Sequence, residues 1–72
     1  MAISYNGLWK LLIDNRMKRT ELKEKAHISG STLAKLGKNE YVALDVLVRI
    51  CTVLHCQIGD IVEIVCEEAI TN

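Results

Sequence analysis

The chain has no proline, no phenylalanine and only three aromatic residues, Tyr5, Trp9 and Tyr41. Its core must therefore be aliphatic, and its helices must be ended by single glycines, polar clusters and caps rather than by proline. Low-complexity runs and internal repeats are missing too, which excludes a repeat architecture. No apolar stretch approaches the roughly 20 residues that a membrane-spanning helix needs. The first dozen residues lack a basic leading segment and a small-residue cleavage site, so no secretory signal and a cytoplasmic location are expected.

Chemistry-bearing patterns are equally scarce. The three cysteines, Cys51, Cys56 and Cys66, are odd in number and form no C-x-x-C pair, which argues against a disulfide framework and for a reducing compartment. A zinc site on Cys51, His55 and Cys56 would need a fourth ligand from Cys66 or His27. Cys51 instead lies on an apolar helical stripe, where cysteine behaves as a small hydrophobe. No base stands at a recognisable spacing from a nucleophile, the carboxylates are dispersed, and there is no glycine-rich phosphate loop. Neither enzymatic activity nor a metal or cofactor is expected.

What remains is 72 residues, half of them hydrophobic and spread between charges in a globular pattern. One domain at most fits this length, and so small a core holds only with dense helix packing or a partner subunit. Net charge is zero, but it is unevenly placed. Residues 1–38 hold eight Lys or Arg against three acids, a balance of +5, and residues 39–72 hold one Arg against six acids, a balance of −5. Such asymmetry either orients a protein on a polyanion or reflects solvated helix faces, and charge alone does not separate the two.

Helical spacing joins Tyr5, Leu8, Trp9, Leu12 and Ile13, with Leu11 beside them, into a first helix over 5–16. Met17 then re-enters the core. A short second helix spans 18–25, with Leu22 and Ala26 inward and Arg19, Lys23 and Lys25 outward. After the tight turn His27-Ile28, Ser29 is a good N-cap because its hydroxyl accepts from amides that otherwise lack partners. The third helix runs to about Leu36, with Leu33 and Leu36 inward, and Gly37-Lys38-Asn39 breaks it. A fourth helix over 44–54 carries the stripe Leu44, Leu47, Ile50, Cys51 and Leu54. Residues 55–57 connect it to a single-turn fifth helix over 58–62. In 61–66, β-branched residues let a strand or an extended arm compete with helix, and 67–72 reads as a frayed tail.

The informative segment is 19–36: a short helix, a tight turn and a second short helix. Helices this short are not stable alone and must cross over a shared core, here Leu22, Ala26, Ile28, Leu33 and Leu36. The outward face of the second one is left free, and an α-helix fits the DNA major groove. The order R-T-E-L-K-E-K-A-H-I-S-G-S-T-L-A-K-L, then G-K-N-E, then L-D-V-L-V-R-I-C-T-V-L-H-C-Q-I-G-D-I resembles the Cro/C1-type (XRE-like) helix-turn-helix family, in its small single-domain members, over residues 5–65. Two positions depart from that pattern: Lys23 stands where a small residue is usual, and His27 where the turn usually has glycine. The turn position normally needs positive φ, which histidine tolerates better than most side chains.

The resemblance implies an all-α, five-helix, lambda-repressor-like domain over 1–66. It also implies a sequence-specific transcriptional regulator, a repressor or autoregulator acting on a double-stranded operator, with 29–36 as the recognition helix. By the same resemblance Arg19 contacts a groove or phosphate, and Ser29 and Ser31 stand at the recognition helix N-terminus. Thr32 offers a hydroxyl or a methyl, and Lys35 is the foremost base reader. Gly30 occupies a position where relatives carry a reading side chain, and Lys38 and Asn39 are backbone contacts, with Lys10 and Lys18 as further phosphate neighbours. Without DNA, Ser29 is simply a cap, and Arg19, Lys35 and Lys38 are ordinary surface charges. One recognition helix covers only about four or five base pairs, so useful specificity calls for a homodimer on half-sites about one turn apart. The fourth and fifth helices with 61–65 are the expected dimer surface. Trp9 reads equally as peripheral core or as interface. No sensor domain fits in this length, so no small-molecule ligand is expected. The rival reading is an antitoxin-like or adaptor module that keeps the helical fold and binds protein through its acidic half.

Overall fold

The computed structural model describes residues 2–65, so the expected tail at 67–72 lies outside the described residues. Five helices are ordered α1 (Asn6–Asp14), α2 (Arg19–Ala26), α3 (Gly30–Gly37), α4 (Leu44–Leu54) and α5 (Ile58–Ile61). Two short strands, β1 (Ala2–Ser4) and β2 (Glu63–Val65), flank them. None of these helices is long and apolar enough to cross a membrane.

The first four helices end in the same way. Arg16, His27, Asn39 and His55 follow them with φ between 54° and 58°, and the next residue's N–H reaches back to the helix: Met17 to the Leu12 carbonyl, Ile28 to Lys23, Glu40 to Lys35 and Cys56 to Cys51. This is the Schellman closure, which satisfies carbonyls that a helix end otherwise leaves bare. Glycine usually fills the left-handed position, and here no glycine has positive φ. The expected left-handed turn at His27 is present, and α3 is closed by Asn39 while Gly37 remains its last helical residue.

The N-termini are capped more sparingly. Glu21 accepts from the Lys18 amide at 2.9 Å and Asp60 accepts from the Gln57 amide at 2.9 Å, each placing a carboxylate where the helix dipole favours it. Ser29 caps α3 as expected, accepting the Thr32 N–H at 3.1 Å.

The core gathers Tyr5, Leu8, Leu12, Leu22, Ala26, Ile28, Leu36, Ile50 and Ile61. Trp9, Leu11, Met17, Leu33, Leu47, Cys51 and Leu54 pack around it half-buried. Two expectations from periodicity are corrected: Ile13 is 74% exposed and Leu44 64% exposed, because among the described residues no element covers them. Trp9 belongs to the periphery of the core. Cys51 and Cys56 pack as free thiols, and burial next to Cys51 pushes the Cys56 thiol up to about 11, so it stays protonated and unreactive near neutral pH.

The chain ends of the fold are tied together. β1 and β2 pair antiparallel with Ala2 opposite Val65, Ile3 opposite Ile64 and Ser4 opposite Glu63. The strand alternative for 61–66 is thus realised at Glu63–Val65, whereas Ile61 is fully buried at the end of α5 rather than part of an arm. One edge of β2 is occupied by β1 of the same chain. Gly7 lets α1 come up against α5, because a Cβ there would collide with the Asp60 carbonyl oxygen.

Candidate nucleic-acid interface

The pair α2–α3 is held from behind by two long-range links. Arg49 of α4 donates to the His27 carbonyl at 2.9 Å and pairs with Asp45 at 2.7 Å, so α4 grips the turn between α2 and α3. At the other end of α3, Asn39 Oδ1 accepts the Tyr5 N–H at 3.1 Å, and the Tyr5 hydroxyl donates to the Glu40 carbonyl at 2.7 Å. The buried Tyr5 phenol, its ionisation pushed up by desolvation, therefore stays a donor and fixes the loop after α3 to the start of α1. Neither Arg49 nor Tyr5 stands out as a support in the sequence. Their partners lie 22 to 35 positions away, beyond the reach of local periodicity.

Held this way, α3 turns Leu36 fully inward and half-buries Thr32 and Leu33. Gly30, Ser31, Ala34, Lys35 and Lys38 remain exposed. Their spacing of one and four places them on a single helix face. This face is small, polar and basic, and it stays uncovered among the described residues. A cylinder with such a face meets the dimensions of the major groove.

The hydroxyls at its N-terminus form a local network. Ser29 donates to the Thr32 hydroxyl at 3.0 Å, and the Ser29 and Ser31 oxygens are 3.0 Å apart. Ser29 has one hydroxyl proton, so the Ser31 hydroxyl must donate to it. The Thr32 hydroxyl then keeps its own proton for an outside acceptor. Lys23, which stands where a small residue is usual, is half-buried. Its ammonium comes within 3.9 Å of where a Gly30 Cβ would be. Lys23 therefore brings a charge to the start of α3, at the position where Gly30 supplies no side chain. The signal was present in the sequence as a long cation paired with a missing side chain one helix away.

The remaining site residues divide. Arg19 opens α2 with its guanidinium carbon 3.8 Å from the centre of the Trp9 ring. Lys38 is the C-cap of α3, just before Asn39, and is exposed. Asn39 spends its carbonyl oxygen on the fold and keeps only its amide hydrogens for an outside contact. Lys10 and Lys18 are exposed on α1 and at the cap of α2.

Comparison with known proteins agrees with this geometry. The Cro/C1-type HTH DNA-binding domain matches residues 7–67. No curated protein sequence matches the chain significantly. Among solved structures, the crystal structure of the transcriptional regulator VanUg is 57% identical, with a TM-score of 0.88 over 92% of this chain and 88% of that one. A basic, uncovered helix face on a scaffold of this form is what a DNA-binding domain requires, and the chain belongs to the Cro/C1-type helix-turn-helix DNA-binding domain family.

Proposed function

We propose that this protein is a cytoplasmic, sequence-specific transcriptional regulator that represses by occupying a short operator as a homodimer. The uncovered face of α3 carries this reading. Lys35, one turn along that face, forks to a guanine edge, while Ser31 and Thr32 offer hydroxyls to bases or phosphate and Gly30 lets the backbone come close. Lys23 lends charge to the same end. Ser29 acts chiefly as the cap, and Lys38 and the Asn39 amide contact the sugar-phosphate backbone. The likeness to VanUg, a transcriptional regulator, supports the regulatory role.

Dimerisation is supported by a second exposed strip. Leu44 and Val48 on α4 and Ile58 on α5 are exposed at 64%, 50% and 36%. Singly they would need no explanation, but Leu44 and Val48 stand one turn apart on α4, and Val48 and Ile58 line one groove together with Thr52 and His55, a mixed surface with apolar residues of the kind that partners cover. Two copies joined there would present two α3 helices to successive half-sites.

Selection of bound duplexes from a random pool, followed by anisotropy titration of the selected and a scrambled duplex, tests this reading. The expected outcome is tighter binding of the selected duplex and a steep fall in affinity with salt, as counterions are released. Failure to hold any duplex at low ionic strength would overturn it and leave the adaptor reading in its place.

A further inference from the structure

We propose that Trp9 is a positioning residue for DNA, holding the Arg19 guanidinium flat so that its edge meets a backbone phosphate. The inference rests on the DNA-binding reading above and assigns a role to the chain's one tryptophan. The Arg19 guanidinium carbon lies 3.8 Å from the Trp9 ring centre, a cation–π stack that joins the start of α2 to α1. The same guanidinium reaches the last turn of α3, since a Cβ on Gly37 would sit 3.6 Å from Nη1. Arg19 thus lies where three helices meet.

Stacking occupies the face of the guanidinium and leaves its in-plane N–H groups free. Among the described residues, Arg19 has no side-chain hydrogen bond and no carboxylate in ion-pair range, the ion pair present being Arg49 with Asp45. A restrained, planar and unpaired fork suits the two free oxygens of a phosphodiester. Its place decides against a base edge. The reading end of a recognition helix is its N-terminus, beside Gly30 and Lys23, whereas Arg19 borders Gly37 at the opposite end. The helix before the recognition helix also crosses the backbone.

The test uses the full chain, a selected duplex and a scrambled duplex of equal length, with Arg19→Gln, Trp9→Leu, Trp9→Phe and the double variant Arg19→Gln/Trp9→Leu. Arg19→Gln should weaken both duplexes by the same factor and lower the salt slope by about one. Trp9→Leu keeps every charge, yet should weaken both duplexes about two- to fivefold. That loss should vanish in the Arg19→Gln background and be partly restored by Trp9→Phe. Trp9 fluorescence should change on titration with either duplex in the native chain and much less in Arg19→Gln. This last readout does not depend on whether a Trp9 variant folds well.

An equal effect of Trp9→Leu with and without Arg19 would overturn the proposal, as would fluorescence indifferent to DNA. Loss confined to the selected duplex in Arg19→Gln would make Arg19 a base reader and overturn it too. If the native chain binds neither duplex, the DNA reading itself falls and the proposal with it, an outcome distinguished by appearing before any substitution is made.

Discussion

Among the described residues α3 and α4 each leave one face bare, and the two faces have little chemistry in common. The open face of α3 is Gly30, Ser31, Ala34 and Lys35, short side chains ending in one cation. The open face of α4 begins with Leu44 and Val48 and continues with Thr52 and His55. Both helices bury their other side in the same core through Leu36 and Ile50. Exposure alone therefore does not distinguish a DNA surface from a protein surface. The difference lies in what desolvation would cost or release: apolar carbon gains by leaving water, whereas a lysine gains by meeting a phosphate or a guanine.

The largest effect is expected on α4. Val48→Glu puts a charge in the middle of the apolar strip and should convert dimer to monomer in sedimentation. It should also lower operator affinity on the order of 10²- to 10⁴-fold, because two linked half-site contacts become one. Unchanged mass and affinity would remove α4 from the dimer surface. On α3, Lys35→Ala should leave the oligomer intact, cost about 1–3 kcal/mol of operator binding and relax preference at one base position. Lys38→Ala should weaken all duplexes alike. If Lys35→Ala leaves sequence preference untouched, another residue reads the base, with Lys23 the next to examine.

The scaffold beneath both faces supplies two smaller tests. Gly7→Ala forces α1 away from the Asp60 carbonyl and should cost about 1–3 kcal/mol, read as a drop in Tm that disturbs both faces together. His27→Gly should act in the opposite sense and raise stability by about 0.5–1 kcal/mol. A left-handed residue with a Cβ costs about 1–2 kcal/mol, and glycine returns part of that as chain entropy. Its backbone carbonyl still accepts from Arg49, so DNA binding should be unchanged in anisotropy.

The legible parts of this fold are those encoded locally. The α4 bounds at Leu44 and Leu54 agree with the sequence pattern, and Ser29 caps α3 as its hydroxyl and position suggest. The left-handed turn at His27 was implied by the family resemblance, in which glycine is usual at that position. The parts that escaped depend on chain segments meeting. Ala2-Ile3-Ser4 is too short to show an alternation, and it becomes a strand only because Glu63–Val65 lies beside it. Ile13 and Leu44 satisfy a helical period yet stay exposed among the described residues, since periodicity gives a face but not what covers it. Within the candidate site, the exposure of Lys35 and Lys38 follows from the motif. Asn39 could not be read as a support for Tyr5, nor Trp9 as a stack for Arg19, because both roles arise from tertiary contact.

In the function proposed above, the uncovered face of α3 enters the duplex. Backbone amide chemical shifts of the full chain, followed as the selected operator is added, test it most directly. Large changes are expected at Gly30, Ser31, Ala34 and Lys35, smaller ones at Arg19, Lys23 and Lys38, and none along Thr52 and His55. Changes concentrated on α4 with a silent α3 would contradict it.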